Sequence, residues 1–188
     1  MATSIDVAQY IYNKMGWMDA WKLAKLTYYV QAWSLGWFGK PLFAEEFQAW
    51  ADGPVEPKLH AENRYCRRGI TDTQLPSADV SRLTAQDIET IDAVLDFYGG
   101  FTKEELINRT HSEMPWLKAR AGLAAGERSR NPVSQSSMRR FYADQELKKV
   151  DGPCRPRMLV HGNHDQTRAQ FRGAVERWET ALTILATR

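Results

Sequence analysis

Residues 21–38, WKLAKLTYYVQAWSLGWF, decide what kind of fold this chain adopts. At 100° per residue, Leu23, Leu26, Thr27, Val30, Trp33 and Trp37 fall on one side of a helix, and Trp21, Ala24, Tyr28, Ala32 and Leu35 on nearly the opposite side. A helix apolar on two faces must be packed on both, so it is central, and Asp19 can cap its start. One clearly polar strip remains, made of Lys22, Lys25 and Tyr29. Because that strip lies off both apolar faces, its side chains are expected to be available to water or to a partner.

Working outward, Ser4 can cap an earlier helix that buries Ile5, Ala8, Ile11, Tyr12 and Met15. Residues 36–59 hold three prolines and three glycines around a brief apolar–polar alternation from Phe43 to Trp50. This reads as an irregular connection with one short strand, or a short β-hairpin, closed by a tight turn at Asp52-Gly53-Pro54, with a short helix restarting at Pro57. Residues 69–82 are polar and aperiodic, a surface loop with room for a second short strand. Thr84 with Asp87, and Thr102 with Glu105, are capping boxes; Gly99-Gly100 stops the first of these helices and Pro115 announces another from Trp116. Residues 122–133, GLAAGERSRNPV, read as a mobile basic loop, after which Ser134 opens a helix facing inward with Met138, Phe141 and Tyr142. A last helix is expected from about Asp165 to about Ala186, with a heptad-like seam of Phe171, Val175, Trp178, Leu182 and Leu185. Packing of that seam onto its own domain is preferred over a homodimeric coiled coil, because so few heptads seldom hold alone.

The fold class is therefore mainly α: a compact helical domain around a central two-faced helix, with a short hairpin, plus a C-terminal helix. With 188 residues, 43% hydrophobic and 26% charged, the chain is the size of one soluble domain. A formal charge of +2 cannot by itself drive nonspecific nucleic-acid binding, and the clusters Arg64-Arg67-Arg68 and Arg128-Arg130-Arg139-Arg140 read as solvated surface. The uncharged run Leu26–Gly39 is too short to span a bilayer, which predicts a cytoplasmic protein with no membrane partner.

Catalytic readings fail one by one. Gly162-Asn163-His164-Asp165 resembles the ligand loop of calcineurin-like metallophosphoesterases. A two-metal centre needs several ligand sets, yet the residues two before the four histidines are Lys58, Arg109, Leu159 and Gly162, so no Asp-x-His pair exists. The tetrapeptide is read as a turn and helix cap. There is no Gly-x-Ser-x-Gly elbow, Gly39-Lys40 runs into Pro41, and Cys66 and Cys154 lack metal spacing. No catalytic residue, metal or cofactor is expected.

The blocks assembled so far resemble the Panacea domain. Lys22, Leu23, Lys25, Leu26, Tyr28 and Tyr29 match its Lys-Leu-x-Lys-Leu-x-Tyr-Tyr helix, and Gly39 to Phe43, Trp50 and Gly53-Pro54-Val55 match its next two blocks. The likeness continues through Thr110-His111-Ser112-Glu113 and Pro115-Trp116 to VSQSSMRRFYAD, covering residues 19–143. It implies a Panacea-like helical domain over 1–143 and a C-terminal extension over 144–188. It also implies an antitoxin of a bacterial or phage toxin–antitoxin pair, acting on a cognate protein toxin encoded next to it. Some members assist toxin proteolysis, so a protease is an alternative partner. Some carry a DNA-binding helix-turn-helix, which is not visible here, so DNA is not the expected partner, although a nucleic-acid regulator remains the rival reading.

A binding protein also fits the aromatics, since five of the seven tryptophans fall in the first 50 residues. Trp21 and Trp33 are expected in the core. Trp17, Trp37, Phe38 and Trp50 sit beside glycines or turns, where an aromatic can serve a partner. Gly53-Pro54-Val55 would hold Trp50 and Asp52 in a fixed pose. The candidate partner surface is thus Lys22, Lys25, Tyr29, Trp37, Phe38, Trp50, Asp52, Gly53, Pro54 and Val55.

Overall fold

The computed structural model describes residues 1–157; the expected last helix with its Trp178 seam and the His164 turn lie outside the described residues. Helix α1 spans Ser4–Met15. Its cap is Thr3 rather than Ser4: Thr3 Oγ1 accepts from Asp6 N at 3.2 Å while the Asp6 carboxylate accepts from Thr3 N at 2.9 Å. The acid at the third helical position selects between the two adjacent hydroxyls, because only Thr3 completes a reciprocal capping box. Ser4 Oγ instead donates to Glu56 Oε2 at 2.7 Å.

Helix α2, Ala20–Phe38, is capped by Asp19, whose carboxylate accepts from Trp21 N at 2.8 Å, and ends at Gly39 with φ 68. Every residue from Leu23 to Leu35 is buried. The expectation of a central helix packed on two faces holds, and Lys25 and Tyr29 of its polar strip are covered as well. Two short antiparallel strands, β1 (Gln48–Trp50) and β2 (Gly53–Val55), pack back on it, with Trp50 opposite Gly53. The reversal is therefore made by Ala51 and Asp52, and Gly53-Pro54 belongs to the second strand rather than to the turn. Gly53, at φ 102, is the residue that can take this backbone without strain.

Glu56 caps the short helix α3, Pro57–Ala61, which runs into a π-helical turn, Glu62–Cys66. Residues 69–82 contain no strand; a 3-10 turn at Val80–Arg82, capped by Asp79, occupies their end. Helices α4 (Ala85–Tyr98) and α5 (Lys103–Ser112) begin at the two expected capping boxes. Helix α6, Met114–Ala119, starts two residues before Trp116. Helix α7, Gln135–Leu147, begins at the Ser134 cap and packs along α2. The approach is close at Gly36, where a Cβ would lie 2.7 Å from Tyr142 Cβ.

The basic loop is not loose. Ala49 N donates to Asn131 O at 2.9 Å and Val133 N to Phe47 O at 2.7 Å, so its last residues lie along β1. Arg120 Nη1 donates to Ala49 O at 3.2 Å and to Glu127 O at 3.0 Å, and Nη2 to Ala124 O at 2.8 Å, pinning the loop to the hairpin. Backbone donors and acceptors seek partners regardless of side-chain polarity, so these attachments of the expected loop are not visible in its composition. Among the described residues no helix is long and apolar enough to cross a membrane.

Candidate functional site

Two of the three members of the polar strip of α2, Lys25 and Tyr29, are closed off from solvent, and each of the three has a different fate. Lys22, half-buried, donates from Nζ to Gly99 O at 2.8 Å. Lys25 is 0% exposed because the hairpin folds over it: a Cβ at Gly53 would lie 2.5 Å from Lys25 Cε and 2.8 Å from Thr110 Oγ1. Its Nζ donates to Pro54 O at 3.3 Å and sits 5.3 Å from the centre of the Trp21 ring. An ammonium with three donors and one long acceptor is poorly solvated, and burial lowers its pKa to about 7 against the opposing pull of Asp52.

Tyr29, also fully buried, joins a separate cluster. Its hydroxyl donates to Glu113 Oε1 at 3.2 Å while the Tyr142 hydroxyl donates to Glu113 Oε2 at 2.6 Å. Tyr29 stacks on Tyr98 at 3.9 Å, and Tyr28 meets Tyr29 and Tyr142 edge-on. Burial pushes the Glu113 carboxyl up to about 7, although both phenols pull the other way. Trp37 is buried, with Nε1 donating to Glu146 Oε2 at 2.9 Å, and Phe38 is half-buried beneath Arg155. Both lie at the far end of α2, ~28 Å long at 1.5 Å per residue, so the structure does not bring them to the hairpin.

The residues it does bring together are Trp50, Asp52 and Trp21. They line a cleft of about 630 Å³ with Tyr65, Arg128 and Arg130. Trp50 is held by three contacts: its Nε1 donates to Gln48 Oε1 at 2.9 Å, its ring meets His60 edge-on at 4.9 Å, and its carbonyl accepts from Trp116 Nε1 at 3.0 Å. Trp116 in turn stacks on His111 at 4.0 Å, and the buried His111 Nε2 has no hydrogen-bond partner among the described residues. Burial, followed by the charge of Lys25, holds the His111 pKa down. Gly53, Pro54 and Val55 are buried behind this wall, supporting it.

A second cleft of about 460 Å³ shares Trp21 and continues past His60 and Arg64 to Ile70. The surface around it is unusually apolar at its edge: Tyr65 is 73% exposed, Ile70 83% and Trp17 51%. Trp17 is fixed there by its Nε1 bond to Ile70 O at 2.9 Å. Among the described residues, none of Arg64, Arg128 and Arg130 has a carboxylate oxygen within 4.0 Å.

Sequence reasoning placed Trp21 in the core and the arginines on a solvated surface. It could reach neither the cleft nor Tyr65, because bringing Arg130 to the same cleft as Trp21 depends on main-chain pairing of the loop with β1. Among the described residues no group of three or more His, Cys, Asp or Glu side chains is arranged to hold a metal ion.

The family described as antitoxin SocA-like, Panacea domain, matches residues 23–117, from the first turn of α2 into α6. No curated protein and no solved structure matches the chain.

Proposed function

From the antitoxin SocA-like Panacea family, to which this chain belongs, we propose that it neutralises a cognate protein toxin, encoded beside it, by direct binding at the hairpin cleft. The supporting observation is the meeting of Trp21, Trp50 and Tyr65 with arginines that have no carboxylate partner among the described residues, next to the exposed Ile70. Tryptophan, tyrosine and arginine are the residue types whose burial dominates protein–protein affinity. Lys25 is enclosed behind the cleft and Glu113 lies in a separate buried cluster, so neither is presented to a partner there.

Co-expression tests the reading. The product of the adjacent reading frame should arrest growth when expressed alone and be silenced by the wild-type chain. Trp50→Ala and Asp52→Lys should each fail to rescue while keeping a near-normal melting temperature. Full rescue by both would move the interface away from the hairpin, and a harmless neighbour would remove the antitoxin reading. Lys25→Glu is unsuitable as a probe, because a buried carboxylate there would act through folding.

A further inference from the structure

We infer that the hairpin cleft recognises an acidic segment of the toxin, one that presents a carboxylate beside a bulky apolar side chain; this rests on the antitoxin reading above. The placement of arginines against aromatic walls in one cleft carries it. Lys14 pairs with Asp92 at 2.7 Å, Lys148 with Asp144 at 2.8 Å, and Arg82 with Asp6 and Asp79 at 3.5 Å, but none of these pairs lines a cleft walled by indoles. At the cleft, Arg128 and Arg130 line one wall and Arg64 stands beside Tyr65 with its guanidinium 5.5 Å from the ring centre, none of them near a carboxylate among the described residues. Guanidinium groups pair bidentately with carboxylates, and that pairing strengthens where aromatic walls exclude water. Trp21 and Trp50 supply such walls, and a space of about 630 Å³ admits a few side chains rather than a whole helix.

The same surface is a poorer match to nucleic acid. Asp52 is exposed and lines the cleft, so it repels any anion set beside it, and the closely spaced charges of a phosphate backbone would meet it more than a single carboxylate seated on the arginines. The indoles are not clean stacking platforms either, since Lys25 approaches Trp21 at 5.3 Å and His60 abuts Trp50 at 4.9 Å. On a protein segment, Asp52 can accept from a backbone N–H while the arginines hold the acid.

Calorimetric titration of the full chain with the purified product of the adjacent reading frame decides the matter. Arg128→Glu combined with Arg130→Glu should weaken binding about thirtyfold or more, the loss typical of a central contact. Arg139→Glu with Arg140→Glu, exposed on α7, should change it by less than about threefold. A lysine replacing the matching toxin carboxylate should recover affinity for the reversed cleft. If the reversal lowers the melting temperature, Arg128→Gln with Arg130→Gln reads the same loss without new charge. Wild-type affinity in both cleft variants would overturn the acidic-segment proposal and leave the antitoxin reading intact. Absence of wild-type binding would overturn the antitoxin reading itself. A single-stranded oligonucleotide of twenty thymidines or uridines that binds tightly, and is released by the cleft reversal, would overturn the proposal in favour of nucleic acid.

Discussion

Two buried ionisable groups meet helix α2, Lys25 on the helix itself and Glu113 packed against its midpoint at Tyr29, and the protein treats the two in opposite ways. Glu113, against Tyr29, accepts from two phenols and sits among stacked rings donated by α2, α4 and α7. Lys25 has a single carbonyl at 3.3 Å, an indole and the thin cover of a two-residue turn. The first arrangement gives each carboxyl oxygen a hydrogen-bond donor and ties three helices together. The second leaves donor capacity unspent beneath a surface that meets a partner in the proposal above. Burial alone thus does not distinguish the two groups; the completeness of their hydrogen bonding does.

Four changes test that contrast, in decreasing order of effect. Tyr142→Ala removes a fully buried ring and one Glu113 donor, and should cost about 3–5 kcal/mol in denaturant unfolding. Gly36→Ala drives a methyl group into Tyr142 Cβ and the α7 backbone, and should cost about 1–3 kcal/mol; no loss would mean that α2 and α7 separate easily. Glu113→Leu strands the Tyr29 and Tyr142 hydroxyls, for about 1–3 kcal/mol. Lys25→Met should shift stability at neutral pH by no more than about 1 kcal/mol, toward a gain, because little hydrogen bonding is lost with the charge. A large loss in Lys25→Met would erase the contrast, making Lys25 as integral as Glu113.

Acidity sharpens it further. Glu113 is raised from 4.5 to about 7, so within that window the native protein holds a proton that the unfolded chain has released, and stability falls as pH rises. Lys25 is lowered from 10.5 to about 7, so between those values the unfolded chain holds the extra proton, and stability rises with pH. The two contributions place a trough near neutrality. In melting curves between ~pH 5 and ~pH 9, Glu113→Gln should flatten the acid side of that trough and Lys25→Met the alkaline side. Unchanged slopes in either variant would remove that residue from the account.

Helix α2, its Asp19 cap and the capping boxes of α4 and α5 were legible in the sequence because each is written locally, in a period or a four-residue pattern. The hairpin was legible as a possibility, but its register was not: Gly53-Pro54 looks like a turn until Trp50 is seen opposite Gly53. The polar strip misled for a physical reason. Lys25 and Tyr29 follow helical geometry off the apolar faces, yet two segments distant in sequence, the hairpin and Glu113, close over them. Nothing within a helix's own periodicity reports such a cover. Of the candidate partner residues, Trp50 and Asp52 line the cleft, Gly53 to Val55 back it, and Trp37 and Phe38 are a helix length away.

The loop that carries Arg128 and Arg130 lies beyond the segment matched by the family, and it is tethered through main-chain atoms: Asn131 O, Val133 N, and the carbonyls of Ala124 and Glu127 held by Arg120. A tether that grips peptide groups is indifferent to the side chains it displays. Positions 128 and 130 can therefore drift through mutation at little expense to the scaffold, and in the reading proposed above one wall of the cleft could be rewritten for a different adversary while the helices behind it stay the same.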